Sequence, residues 1–182
     1  MDFIENNIFV NFDEYDNDLP FAGNLKDTFY KIEEIIDANR CEKNKLSVLK
    51  NIADVVDCLI DVGNVQERIV LDTAQLYVLI KHTGIDEEKI KSYFGNHVID
   101  GAKLMLKNFN DSAINLRNIF ENEKYLYLSK IKIADIIVEL KAYQSYEEMK
   151  NSIAFKEANI ILEKFNHLSH KQLISKLSEI IV

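Results

Sequence analysis

One proline and five glycines are all that interrupt 182 residues. Proline removes a backbone donor and glycine frees the backbone, so their scarcity leaves few places where the chain can turn sharply. A many-turned β protein needs such residues every few positions, whereas a helical bundle needs them only between long elements. With 47% hydrophobic residues there is also ample material for a core. The expectation is an all-α fold, a bundle of about eight helices in one domain.

The residues 1–23 stand apart from this pattern. In IENNIFVNFDEYDNDLPF, aromatic and aliphatic residues alternate with acids and asparagines before Pro20 and Gly23. This reads as an irregular acidic arm, with a short strand over Ile8 to Phe12 as one option, an extended segment that orders on a partner as another, and a segment tucked against its own domain as a third.

Helical periodicity begins at Asn24, read as the first cap, and continues through Leu25, Phe29, Ile32, Ile35 and Ile36. The helical domain is taken as 24–182. A second helix is expected over Lys45 to Val62, stopped by Gly63, and a third over Gln66 to Lys81, closing near Gly84. A fourth starts at Asp86 and presents Ile90, Tyr93 and Phe94, and another runs from His97 to Lys107. A short helix opens at Asp111 and runs through Asn115 to Phe120. Lys124 to Tyr143 is apolar on nearly every side, which predicts a central position. Ser145 with Glu148, and Ser169 with Gln172, have capping-box spacing and open the last two helices.

The formal charge of −8 argues against nucleic acid as a direct partner, because phosphate binding needs clustered Lys and Arg. A basic protein is the electrostatic complement, although an acidic surface also serves solubility alone. Cys41 and Cys58 make neither a disulfide framework nor a CxxC motif, which fits a reduced, cytoplasmic setting. The chain opens with Asp2 and Glu5 rather than a basic-then-apolar leader, and no apolar run approaches the roughly 18 residues that cross a bilayer.

Several segments, read in order, carry a resemblance. NIADVVDCLIDVG (51–63) is similar to the pattern H-P-x-x-V-A-x-x-L-x-x-x-G, with Val55, Leu59 and Gly63 in place. TAQLYVLIKHT (73–83) is similar to A-x-L-L-H-D-V-V-E-D-T, and IDEEKIKSYFGNHV (85–98) to the Phe-Gly segment that follows it. NLRNIF (115–120) resembles an N-x-R-K stretch, and KIADIIVEL (132–140) resembles K-L-A-D-R-L-H-N-M through Lys132, Ala134 and Asp135. Together, Leu49 to Tyr143 resembles the HD-type hydrolase domain of the RelA/SpoT family. Those helical domains use a metal ion, usually manganese, to remove the 3′-pyrophosphate from (p)ppGpp. The interval from Asn51 to Tyr77 is slightly longer than the family's.

What the resemblance implies for chemistry is a loss. The family's site takes a first His, an adjacent His-Asp pair and a distant Asp, a donor set suited to a transition-metal dication. Those positions hold Asn51, Tyr77, Val78 and Asp135, so only the last is a ligand type that matches. The family's Glu-Asp pair falls on Lys81 and His82, and its Arg, His and Asn after the last ligand become Ile136, Val138 and Glu139. One carboxylate does not assemble a catalytic metal centre. No metal or other cofactor is expected. Asp135 itself reads either as a remnant ligand or as a carboxylate hydrogen-bonded to a neighbouring helix. Of the histidines, His82 and His97 flank the fourth helix. His167 and His170 lie three apart near Glu163, a spacing that puts two imidazoles on one helical face, although surface histidines at a junction are the ordinary reading.

In the RelA/SpoT family, hydrolase domains sit beside a nucleotidyl-transfer domain and restrain it, and some stand-alone synthetases are toxins neutralised by a companion. The resemblance therefore implies a non-catalytic antitoxin or inhibitory subunit that binds a toxic RelA/SpoT-like synthetase. In that reading Phe12, Asp13, Glu14, Tyr15, Asp16 and Asp18 enter the partner's basic nucleotide cleft, carboxylates standing for phosphates and an aromatic ring for the base. A solvated tail is the plain reading of the same residues. Two alternatives remain open: a metal-dependent alarmone or nucleotide pyrophosphohydrolase with relocated ligands, and a module that binds a nucleotide without cleaving it.

Overall fold

The computed structural model describes residues 22–39, 45–85, 90, 93–106, 112–167 and 170–181. Its described residues hold nine α-helices and no strand, as the scarcity of chain-breaking residues predicts. In order these are α1 (Ala22–Ala38), α2 (Lys45–Asp57), α3 (Arg68–Thr83), α4 (Asn96–Leu106), α5 (Ser112–Phe120), α6 (Leu126–Ala142), α7 (Tyr146–Asn151), α8 (Ile153–Lys164) and α9 (Lys171–Ile181). The expected arm, the strand over Ile8 to Phe12, the Ser169 cap and most of the helix from Asp86 lie outside the described residues.

Two helices form the centre. Every residue of α3 from Val70 to Leu79 is buried, and α6 is buried from Ile131 to Ile137 and again at Leu140. A helix that is apolar around its circumference has no face to offer water, so the others wrap it. Accordingly α3 packs on α1, α2, α4 and α6, while α6 packs on α2, α3, α5, α8 and α9. The central place expected for the 124–143 segment is observed; Glu123–Tyr125 is a 3-10 turn leading into it. Polar residues do enter this core. Thr28 of α1 donates to Asp72 at 2.9 Å, tying α1 to α3. Lys132 of α6 pairs with Glu157 of α8 at 2.8 Å, both less than a tenth exposed.

The helix ends refine the sequence reading. α1 begins at Ala22, so Asn24 lies within the helix rather than capping it. The second helix does not run regularly to its glycine: after Asp57 it widens into a π-turn, Cys58–Val62. Gly63 does not stop it by a left-handed turn, since its φ is −82°; the left-handed residue is Asn64, at φ 48°. Glycine is required at 63 for space, because a Cβ there would meet the Leu59 carbonyl oxygen at 2.6 Å. Gly84 is the left-handed terminator foreseen for α3, with φ 65° and its N–H on the Ile80 carbonyl. Ser145 accepts from the Glu148 N–H as its capping-box spacing predicts. The helix it opens lasts only to Asn151, because Ser152 starts a new one by accepting from the Phe155 N–H at 3.0 Å.

The ion pair between α6 and α8 supplies a test of this packing. Removing one partner of a buried pair leaves the other charge unpaired, which costs roughly 3–5 kcal/mol. Glu157→Ala is expected to lower the unfolding free energy by about that amount in urea titrations, whereas the joint change Lys132→Met with Glu157→Leu is expected to be close to neutral.

Candidate functional site

Tyr77 and Lys81 sit one helical turn apart on α3, and Asp135 and Glu139 one turn apart on α6. Because the two helices pack together, the pairs face each other. The Tyr77 hydroxyl donates to Asp135 Oδ2 at 2.8 Å. The Lys81 ammonium donates to both Asp135 oxygens at 2.9 Å and reaches Glu139 Oε2 at 3.3 Å. It also lies 5.7 Å from the centre of the Tyr77 ring. The side chains of Lys81 and Asp135 are 15% and 7% exposed, so this contact is shielded from water, while Glu139, at 38%, sits at the rim.

The environment fixes the protonation of these groups. Burial, then the charge of Asp135 and the hydrogen bond to it, push the Tyr77 hydroxyl well above its ordinary 10, so it remains a donor. Burial alone lowers the Lys81 ammonium, but Asp135 and then Glu139 outweigh it and hold the group above 10.5. Its stabilising contribution is therefore complete at neutral pH and lost only as alkaline pH rises through that elevated value. His82 is exposed overall, yet burial against the cleft and then the Lys81 charge lower it from 6.5.

Asn51, Val55, Val78, Lys81, His82, Asp135 and Glu139 are among the residues lining one cleft of about 220 Å³. The structure thus brings together the positions that the sequence singles out, 51, 78, 81, 82 and 135, with Tyr77 buried beneath them. Phe12, Asp13, Glu14, Tyr15, Asp16 and Asp18 lie outside the described residues. The resemblance treats Glu139 only as the loss of a family polar residue; the structure makes it a second acid for Lys81, one helical turn from Asp135. A neighbouring cavity of about 410 Å³ shares Asn51, Val138 and Ala142 and adds Lys50, Asp54, Asp57, Cys58, Asp61 and Lys141. Burial pushes the Cys58 thiol up to about 11, so it is no ready nucleophile.

The donor set does not fit a dication. Both oxygens of Asp135 are engaged by an ammonium and a phenol, and Val78 has no ligand atom. Among the described residues no three His, Cys, Asp or Glu side chains cluster in a way that holds a metal ion. His167 and His170 do not form the pair their spacing allows: His167 is exposed, and His170 lies against Ser129, with Nε2 2.6 Å from the serine oxygen. That contact is no hydrolytic dyad, because Ser129 is wholly buried and gives its hydrogen to the Leu126 carbonyl at 2.5 Å.

No family model matches this chain, and neither the curated proteins nor the solved structures contain a significant match to it. The described residues include no helix long and apolar enough to cross a membrane.

A double-mutant cycle reads the central contact. Lys81→Met strands the Asp135 carboxyl in the core and is expected to cost roughly 3–5 kcal/mol in chemical denaturation. Lys81→Met combined with Asp135→Leu should recover most of that loss, giving a coupling energy above about 1 kcal/mol. Additive single effects would contradict a direct pair.

Proposed function

We propose that this chain is a non-catalytic inhibitory subunit, an antitoxin that neutralises a toxic RelA/SpoT-like synthetase by binding it directly in the cytoplasm. The observation that carries the reading is the Lys81–Asp135–Tyr77 cluster, which stands where the sequence resemblance puts hydrolase ligands. An ammonium there satisfies the carboxylate that a metal would otherwise neutralise. The cleft is thereby converted from a reaction centre into a fixed part of the core.

Charge supports the kind of partner. A synthetase that handles nucleotide phosphates needs Lys and Arg around its own site, and a chain of net charge −8 is drawn to such a surface. In this reading the shape of a hydrolase domain is retained for contact rather than for turnover. The acidic residues Asp13, Glu14, Asp16 and Asp18, with Phe12 and Tyr15, are the proposed contact set.

Co-expression with a toxic RelA/SpoT-like synthetase is the direct test. Growth arrest by the synthetase is expected to be relieved by the full chain and by Asp135→Leu paired with Lys81→Met, which keeps the fold but removes the cluster. Deleting residues 1–18 is expected to abolish relief; full protection without them would remove the arm from the account while leaving binding intact. Manganese-dependent pyrophosphate release from an alarmone by the purified chain, lost in Asp135→Ala, would overturn the non-catalytic reading.

A further inference from the structure

The last helix, α9, begins directly after His170, whose carbonyl accepts the Ile174 N–H at 3.0 Å. The ring of the same residue turns back to α6. There Ser129 has already committed its one hydrogen to the Leu126 carbonyl, so at 2.6 Å from Nε2 its oxygen acts as acceptor and His170 carries the hydrogen on Nε2. One histidine thus ties the start of α9 to the buried face of α6, the helix against which α9 makes most of its packing.

We propose that His170 is an acid-sensitive clasp: neutral, it holds the first turn of α9 against α6, and a second proton on its ring releases that turn. The surroundings give the reason. Lys130 on α6 lies beside the ring, and Lys171 is the next residue on α9. The N-terminus of α9 adds the positive end of a helix dipole, which disfavours a cation there. Among the described residues Glu67, just ahead of α3, is the acid facing the group, and it is already paired with Lys130 at 2.7 Å. Burial and then Lys130 accordingly lower the pKa of His170 from 6.5, against smaller opposing effects from the Leu126 carbonyl and Glu67. A folded-state pKa below the unfolded one means the clasp is fully stabilising above pH 6.5 and weakens as pH falls below it through the depressed value. A cavity of about 290 Å³ lined by Gly63, Lys130, His170, Lys171, Gln172 and Leu173 leaves the protonated ring a route to water.

Hydrogen exchange on the full chain, followed residue by residue by NMR and corrected for intrinsic rates, tests this. Amides 175–181 are expected to lose about tenfold or more of their protection between pH 7 and pH 5, with a midpoint that coincides with the titration of the His170 ring, while α3 amides stay protected. His170→Gln places an amide nitrogen near Nε2 and cannot titrate, so it is expected to keep α9 docked across that range. Protection of α9 that is independent of pH, or a pH dependence that survives in His170→Gln or has a midpoint apart from His170, would overturn the proposal. Should the glutamine variant fail to dock at pH 7, the comparison of midpoints in the unaltered chain decides alone.

Discussion

A carboxylate in the middle of an apolar helix is the constraint around which this structure is arranged. Asp135 has Ala134 and Ile136 on either side and almost no exposure to water. A charge in that position is tolerated only with a close counter-charge and with its lone pairs satisfied. Lys81 and Tyr77 meet both demands from one face of α3, at 2.9 and 2.8 Å. The contact therefore fixes the register of the two central helices against each other. Glu139 at the rim shares the ammonium.

Three further polar contacts work in the same way at the periphery of that pair. Thr28 with Asp72 seats α1 on α3; Lys132 with Glu157 seats α8 on α6; His170 with Ser129 seats α9 on α6. Each joins a surrounding helix to one of the central two through a buried or half-buried group. Buried polar pairs of this kind add less to net stability than apolar packing does, but they penalise alternative registers, which an otherwise uniform hydrophobic core does not. The exception is Gln75: it is wholly buried, and neither of its amide atoms has a hydrogen-bond partner among the described residues.

Much of the architecture was legible because it depends on local signals. Scarce glycine and proline predicted helices, Gly84 marked an end, and the apolar circumference of 124–143 predicted a central helix. α3 was placed but not recognised as equally central, because Asp72, Thr73 and Gln75 give it the look of a helix with a polar side. The π-turn at Cys58–Val62 has no residue signature; Gly63 reads as a stop when its actual requirement is the closeness of the Leu59 carbonyl. The break at Ser152 was missed since its cap lacks the Glu three residues later that marks a capping box. At the cleft, the resemblance named positions that do converge, yet it treated Lys81 as a lost acid. That Lys81 instead supplies the counter-charge for Asp135 follows from two helices crossing, which periodicity alone does not report.

On the proposed reading, the Lys81 ammonium stands beside Asp135 as a fixed internal cation where the sequence resemblance puts a metal ion. Dialysis of the purified chain against manganese, followed by metal analysis and a crystal structure of the same sample, measures this most directly. No stoichiometric manganese is expected to be retained, and the Lys81–Asp135 contact is expected to be intact. Manganese retained between Tyr77 and Asp135, with the Lys81 ammonium displaced from the carboxylate, would contradict it.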